Sequence, residues 1–444
     1  MKAKIIMILA VLLSSSVAMA QAKIWTLQQC VDTALVKNRS VKQQILGKKS
    51  KEIAYVQARK NRLPDLTGSA SHGVNFGRTL DGNNTYQNST ATSQSTNIGL
   101  SSSILLFNGF RLKNEIEAKK ADVNASEADL ENTKVTITTN VAAGYLQILL
   151  NKELLHIATE QLELTKTKIE QRQALVASGK MAEGEMLELI AQQSKEELSR
   201  IQAENNLKLS LLDLAQYIEL DNFENLDVET PDKLSEKDFQ LLLADDVYAS
   251  AITHRPEIKT AEFKLKSNEY NLSIAKSGYY PSLSLNGSLG SSYYVNNSVN
   301  STTGQKLVFD SFGKQLSDKI GAGLSLNLSV PIFDKFTTRN NVRSAQLGIE
   351  SSKVSIDNAK KELKKSIQQA YYNAISAKSR WGAAQKSVDA SQEAYRFSNQ
   401  KYEAGRATLY ELNQAKNNLT QALSEQIQAK YDYLFKVKLL ELYK

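Results

Sequence analysis

The chain has 444 residues and a formal net charge of +8 at pH 7, from 55 Lys and Arg against 47 Asp and Glu. The basic residues are spread along the chain, which excludes the concentrated basic stripe that nucleic-acid binding uses, so no nucleic-acid partner is predicted. Cys30 is the single cysteine, so an intrachain disulfide is excluded, and His72, His156 and His254 lack the spacing of metal ligands.

The N-terminus has the parts of a secretory signal peptide. Two lysines precede an unbroken apolar run at residues 5–13, and residues 18–20 read Ala-Met-Ala, a small-residue cleavage pattern. The apolar run is too short to cross a bilayer, which takes about 20 residues. We therefore predict a signal peptide over residues 1–20 and an exported mature chain that begins at Gln21.

Cys30 has two possible interpretations. A lipid-attachment cysteine would follow small residues directly at the cleavage site, whereas Cys30 follows Leu-Gln-Gln and lies ten residues past the predicted cut. The favoured interpretation is a small apolar residue on a helix face.

An internal repeat organises the rest of the chain. Residues 34–39 match residues 251–256, and Pro64 matches Pro281, both at an offset of 217. The later matches share an offset of 226 and are residues 107–110 with 333–336, Tyr145 with Tyr371, Gly179 with Gly405, and Glu185 with Glu411. Several matches at a shared offset predict a tandem duplication.

Each repeat is predicted to hold a helix, a pair of strands and a long helical hairpin. In the first repeat, residues 21–220, the strand pair covers 66–107 and the helical hairpin 109–218. In the second repeat, residues 247–444, the corresponding ranges are 282–333 and 334–443. Residues 221–246 between the repeats are acidic and contain Pro231, so we predict a solvated linker there.

The long helices are predicted from missing prolines and from a heptad pattern. All five prolines lie outside residues 109–220 and 334–444, and a proline inside a helix costs ~3 kcal/mol. Residues spaced by seven are Leu155, Leu162, Ile169 and Val176 in the first repeat and Trp381, Val388, Tyr395 and Tyr402 in the second. A heptad repeat of this length is typical of coiled coils. Gly179 and Gly405 are placed where each long helix must end and the chain reverse.

The strands carry a membrane-type alternation. Residues 320–332 alternate apolar with small or polar side chains, with Leu326 and Asn327 at the centre, which predicts a strand with one apolar and one polar face. Each strand is long enough to cross a bilayer at a tilt, which takes about 9–11 residues. The hairpin tips, residues 77–94 and 295–319, are polar and are interpreted as surface loops. Half-buried hairpins of a soluble domain are the alternative.

Four strands cannot close a barrel alone, and an open sheet edge is not tolerated in lipid. Several chains must therefore contribute to one barrel. Two chains would give eight strands, whose interior side chains fill, and three would give twelve, wide enough for a passage.

The repeat, the Pro64 and Pro281 strand entries, the Phe-x-x-Phe strand exits and the two glycine turns resemble the outer-membrane efflux protein (TolC) family over residues 25–444. The resemblance implies a mixed α/β membrane protein, a trimeric 12-stranded transmembrane β-barrel continuous with a long α-helical coiled-coil barrel. It implies a channel. No enzyme activity, cofactor or metal is expected, because the sequence shows no glycine-rich phosphate loop, nucleophile elbow or Cys/His pairing. The expected role is the outer-membrane exit duct of a tripartite efflux or type I secretion system, with the helical tunnel in the periplasm. Expected partners are outer-membrane lipid, a periplasmic adaptor and an inner-membrane pump.

The resemblance also implies a gate at the periplasmic mouth. Tyr402 is expected to pair with Glu185, and Arg406 stands beside Ala407, where the family often has an arginine that completes the lock. Glu411 matches an acidic ring inside the mouth. Simpler interpretations remain open: Tyr402 is also a heptad packing residue, and Glu411 could be an ordinary solvated residue.

The turns of the two hairpins are the residues through which the family contacts its adaptor. The expected contact residues are Ser178, Gly179, Lys180, Ala404, Gly405 and Arg406. One rival function is a pore-less structural coiled-coil protein of the envelope, and another is an exported enzyme, for which the sequence offers no polar constellation. The cargo stays open among drugs, metal ions and polypeptides.

Overall fold

The computed structural model of the protein describes residues 23–77, 91–177, 182–221, 223–224, 226–230, 241–297, 305 and 308–444. The predicted signal peptide, the linker residues 231–240 and the turn residues Ser178, Gly179 and Lys180 lie outside this part of the chain. The described residues form two compact units, one within residues 1–47, 126–260 and 356–444 and the other within 48–125 and 261–355. Among the described helices, none combines the length and the apolar character needed to cross a bilayer.

Two series of elements follow each other in the same order. The first series is β1 (Lys23–Trp25), α1 (Leu27–Lys37), α2 (Arg39–Lys60), β2 (Thr67–Gly77), β3 (Ala91–Asn108), α3 (Arg111–Ala177) and α4 (Glu183–Tyr217). The second is β4 (Leu226–Val228), α5 (Ala244–His254), α6 (Pro256–Lys276), β5 (Ser282–Asn296), α7 (Phe312–Asp318), β6 (Gly321–Ser329), α8 (Thr337–Glu403) and α9 (Leu409–Glu441). Among the described residues of the first series no helix corresponds to α7, and α3 and α8 each have 67 residues.

Each series has two helices where the sequence predicted one helix before the strands. The first pair breaks at Asn38, whose side-chain amide donates to the Tyr217 carbonyl at 3.1 Å and whose Oδ1 accepts from the Ser40 amide at 2.9 Å. The second pair breaks at Arg255, because the following Pro256 disfavours a helical conformation of the residue before it. The apolar periodicity reports neither break, because one involves a hydrogen bond to a residue 179 positions later and the other a proline ring.

Four antiparallel strands form one sheet in the order β2-β3-β5-β6. The register places Leu100 opposite Leu289, and Leu285 opposite both Ile104 and Leu326, so these apolar side chains share one face. On the other face Ser284 lies opposite Asn327. The apolar face is open: Leu326 is 61% exposed and its neighbours Leu324 and Leu328 are exposed more.

The tip predicted as a polar loop over residues 295–319 contains the helix α7. Strand β6 begins at Gly321, opposite Gly290, so among the described residues no strand pairs with the last residues of β5 on that side. Helix α7 covers this edge: the Gln315 Oε1 accepts from the Tyr294 amide at 3.1 Å, and the Ser291 hydroxyl donates to the Leu316 carbonyl at 2.6 Å. Covering an exposed strand edge in this way prevents its pairing with another chain.

The two strand-to-helix turns have the same geometry. Phe107 and Phe110 meet edge to face with ring centroids 5.5 Å apart, and Phe333 and Phe336 do so at 5.8 Å. Phe110 and Phe336 have positive φ. The residues directly before them do as well, Gly109 at 64° and Lys335 at 57°. A side chain at Gly109 would collide, because its Cβ would lie 2.8 Å from the Ser277 carbonyl oxygen.

The solvated linker predicted over residues 221–246 does not hold for the strand β4. Leu226 and Val228 are buried, and β4 pairs in parallel with β1, with Trp25 opposite Val228. The Tyr145 hydroxyl donates to the Glu229 carbonyl at 2.7 Å and fixes the strand against α3. The prediction failed because two apolar residues that alternate within an acidic segment are too weak a signal for a strand.

Cys30 lies in the same core as β4, fully buried on α1, as the helix-face interpretation predicts. Burial raises the pKa of its thiol to about 11, so the thiolate is scarce at neutral pH.

The long helices pair in antiparallel fashion. Along α8 and α9, Trp381 stacks on Tyr433 at 5.7 Å, and further toward the turn the Gln385 and Gln426 side chains bond. Later residues of α8 thus contact earlier residues of α9, so the two helices run antiparallel and form a hairpin. Between α3 and α4 the Asn151 side chain donates to the Asn206 carbonyl at 3.0 Å.

Candidate functional site

Three helices meet at Tyr402, near the C-terminal end of α8. The Tyr402 hydroxyl donates to the Glu185 Oε2 in the first turn of α4 at 3.1 Å. The same hydroxyl accepts from the Arg172 Nη1 of α3 at 2.7 Å, and the guanidinium lies 4.6 Å from the phenol ring centroid. We call Tyr402, Glu185 and Arg172 the tip contact.

Local structure explains why Tyr402 is held in place. It packs, together with Tyr395 and Ile169, on a small buried cluster of Leu189, Leu409 and Leu412. The heptad position and the hydrogen bond therefore coexist, because the ring faces the apolar cluster while the hydroxyl reaches Glu185. The sequence interpretations of packing and of pairing are compatible in this geometry. The gate role itself stays a prediction.

The protonated phenol is the relevant form at the tip contact. Partial burial raises the pKa of Tyr402, and the hydrogen bond and negative charge of Glu185 raise the pKa further, while the positive charge of Arg172 opposes the shift. Tyr402 therefore remains a neutral donor at physiological pH. A neutral phenol between a guanidinium and a carboxylate makes two charge-assisted hydrogen bonds.

Arg406 does not take part in the tip contact. It is exposed in the turn after α8, where its amide bonds to the Lys401 carbonyl at 2.8 Å and Gly405 has a φ of 70°. Within the described ranges its guanidinium has no ion-pair partner. The arginine that reaches Tyr402 is Arg172, 230 residues earlier in the chain. The turn residues Ala404, Gly405 and Arg406 are all exposed, whereas Ser178, Gly179 and Lys180 lie outside the described residues.

Glu411 has a local role that the acidic-ring prediction did not include. Its Oε2 accepts from the Thr408 amide at 2.8 Å, and the Thr408 hydroxyl accepts from the Glu411 amide at 3.3 Å. This reciprocal capping box satisfies two free amides at the start of α9. The sequence signal was present, since a threonine three residues before a glutamate is its signature. The ring role of Glu411 stays a prediction.

We predict that the cap on α9 weakens at acid pH. The Thr408 amide and then the Thr408 hydroxyl lower the pKa of the Glu411 carboxyl below its ordinary 4.5. Because the folded-state pKa is the lower one, the stabilisation is complete above the unfolded value and is lost as pH falls through the folded value. Hydrogen exchange of the first turn of α9 should accelerate in this range after correction for intrinsic exchange. In Glu411→Gln the corrected exchange should be independent of pH; a parallel acid response in this variant would contradict the assignment.

Lys416 and Glu196 form a buried ion pair, separated from the tip contact along the helices by the cluster of Leu189, Leu409 and Leu412. This pair was not predicted from the sequence. The Lys416 ammonium on α9 donates to the Glu196 Oε1 at 2.8 Å, the Thr165 hydroxyl at 2.5 Å and the Gln161 carbonyl at 3.2 Å. Gln192 donates to the same Glu196 oxygen at 2.8 Å. We call Lys416, Glu196, Thr165, Gln161 and Gln192 the buried junction. The available signal was that Lys416 continues the apolar spacing of Leu409, Leu412 and Leu419.

The described residues contain no group of three or more His, Cys, Asp or Glu side chains that could hold a metal ion.

Comparison with known proteins gives consistent matches over most of the chain. The model of a family described as outer membrane efflux protein matches residues 30–218 and 247–442. The chain is 23% identical over 415 residues to the toxin and drug export protein A of Aggregatibacter actinomycetemcomitans, covering 92% of this chain and 83% of that protein. It is 25% identical over 377 residues to the cation efflux system protein CusC of Escherichia coli, and the match covers 80% of this chain and 73% of that protein.

Among solved structures, the fold resembles the Campylobacter jejuni CmeC outer membrane channel. The TM-score is 0.77 at 20% sequence identity, and the likeness covers 94% of this chain and 85% of that one.

Proposed function

Because the chain belongs to the outer membrane efflux protein family, a family of channel proteins, we propose that it is the outer-membrane exit duct of a tripartite efflux or type I secretion system. In this proposal three copies form one 12-stranded transmembrane barrel that continues into a periplasmic tunnel of α3, α4, α8 and α9. An inner-membrane pump delivers the cargo, and a periplasmic adaptor contacts the turns at residues 178–180 and 404–406. The chain itself catalyses no reaction.

The single observation that carries the proposal is the four-stranded sheet. Its apolar face is exposed, with Leu326 61% exposed, and within the described residues β2 and β6 have no strand on their outer sides. A strand edge left open in lipid would cost several kcal/mol for each unsatisfied group. Pairing β6 of one copy with β2 of the next removes every edge, and three copies leave a lumen wide enough for cargo.

A pore-less coiled-coil envelope protein is the rival. It would account for the long helices, but it gives no reason for a sheet with one apolar exposed face and one polar face. For a duct the cargo stays open, since similar proteins are named for the export of toxins and drugs in one case and for cation efflux in another.

The test is reconstitution of the full-length mature protein. We expect a detergent-soluble trimer whose gel mobility changes on heating, and discrete conductance steps in a planar bilayer. A monodisperse monomer with full strand content would contradict the shared barrel. A trimer that adds no conductance, even after the tip contact is disrupted, would favour the structural rival.

A further inference from the structure

We propose that Lys416 is a positioning residue that fixes the register of α9 against α3 and α4 and thereby places the tip contact. The functional consequence of this inference rests on the proposed duct. The contacts that support it all lie within the described helices α3, α4 and α9. Lys416 is 4% exposed, and it is the one charged side chain among the residues of the described core that are classed as buried.

The hydrogen bonds of Lys416 define one position. An ammonium has three donors, and all three are used: Glu196 on α4, and Thr165 and Gln161 on α3. A shift of α9 by one turn would break all three bonds at once. Gln192 of α4 donates to both Glu196 and Asn417, at 2.8 and 3.1 Å, and ties α4 to α9 a second time.

Glu196 depends on this position. Its side chain is 11% exposed, and its buried Oε2 has no hydrogen-bond partner among the described residues. Lys416 therefore supplies the charge compensation of a carboxylate that is only half satisfied. Breaking a buried ion pair by removing one partner is strongly destabilising, whereas replacing both partners by apolar residues is often neutral or stabilising. The pair is thus a poor source of stability and a good source of specificity.

The placement of Lys416 in the heptad supports a role in register. It occupies an apolar position in the series Leu409, Leu412, Lys416 and Leu419. A single polar residue at such a position is known to specify the register of coiled coils at a cost in stability. Between the buried junction and the tip contact lies the apolar cluster of Leu189, Leu409 and Leu412. Apolar contacts are not directional, so this cluster specifies the register of the tip less sharply than the three hydrogen bonds of Lys416 do.

The test separates register from stability. A reporter variant, Lys168→Cys/Tyr395→Cys, replaces a contact of 3.1 Å between α3 and α8 and keeps the three residues of the tip contact. Because α8 and α9 form one hairpin, this pair reports how the hairpin is placed against α3. A flexible bifunctional maleimide joins the two thiols, and Cys30 stays unmodified because it is fully buried. The reporter is combined with Lys416→Met alone and with Lys416→Met/Glu196→Met, and cross-link yield and thermal unfolding are measured on the detergent-purified full chain.

We expect Lys416→Met to lower both the unfolding temperature and the cross-link yield, the yield severalfold. In Lys416→Met/Glu196→Met the unfolding temperature should return toward that of the parent, while the yield should remain severalfold low. A control pair, Arg380→Cys/Asp432→Cys, replaces an α8–α9 ion pair of 2.7 Å and should cross-link equally in all backgrounds.

Recovery of both quantities in the double variant would overturn the proposal, because Lys416 would then act through stability alone. An unchanged reporter yield in Lys416→Met would also overturn the proposal. An equal loss of yield in the control pair would overturn it as well, because all the helices would then have become more mobile. The cross-link requires no conduction, so a protein that fails as a channel would contradict the proposed function and leave this result readable.

Discussion

Tyr402→Phe should raise the resting conductance of the reconstituted protein. The substitution removes the hydroxyl that bonds to Glu185 at 3.1 Å and to Arg172 at 2.7 Å, and it keeps the ring on the cluster of Leu189, Leu409 and Leu412. A hydrogen bond to a charged group contributes about 1.5–3 kcal/mol when partly desolvated. If the mouth opens only when all three copies release, and only the bond to Glu185 in each copy is counted, three bonds of ~1.5 kcal/mol shift the equilibrium on the order of a thousandfold, at tenfold per ~1.4 kcal/mol.

The measurement is single-channel conductance in a planar bilayer, with Tyr395→Phe as the matched control. Tyr395 lies one heptad earlier on the same helix, and its hydroxyl accepts from Lys168 at 3.1 Å, with no carboxylate of the described residues bonded to it. Its loss should leave the mouth closed. Adding Glu185→Gln to Tyr402→Phe should raise conductance little further, because Tyr402→Phe has already removed the bond between these two side chains. A Tyr402→Phe protein that conducts like the parent would reduce Tyr402 to a packing residue.

Leu326→Arg should prevent assembly in the outer membrane, whereas Asn327→Arg should be tolerated. Leu326 lies opposite Leu285 on the exposed apolar face of the sheet, and Asn327 lies opposite Ser284 on the polar face. If the apolar face contacts lipid, an arginine at mid-depth costs about 2–4 kcal/mol in each copy. The polar face would line the lumen, where a charge remains in water.

Heat-modifiable trimer recovered from outer membranes measures this difference. The two positions are adjacent in one strand, so differences in expression or in strand propensity cannot account for a large difference in yield. Equal trimer yields for the two variants would show that the apolar face is not the lipid face, and they would also count against the barrel in the proposed function.

The elements of the fold were largely readable from the sequence, because their signals are local. Alternation around Leu326 predicted β6, and the absence of proline after Pro331 predicted the long helix α8, which runs from Thr337 to Glu403. Positive φ at Gly405 agrees with its prediction as the residue that ends a long helix and allows the turn. A periodicity of two or of seven needs only neighbours along the chain.

Pairs between helices required the tertiary structure. The sequence named Tyr402 and Glu185 through a family resemblance, but nothing in the local pattern placed Arg172 on the same phenol or left Arg406 apart from it. The identity of such partners depends on the register between helices more than 200 residues apart, and a shift of one turn would exchange them. The same holds for the strand β4 and for Lys416, whose acceptors lie on two other helices. The sequence by itself determined the long helices and the strands of the four-stranded sheet, because their signals are periodic and short-range, whereas β4, α7 and the break at Asn38 lacked such a signal. Only the tertiary structure decided which polar side chains meet between them, because each hydrogen bond needs donor and acceptor within about 3 Å.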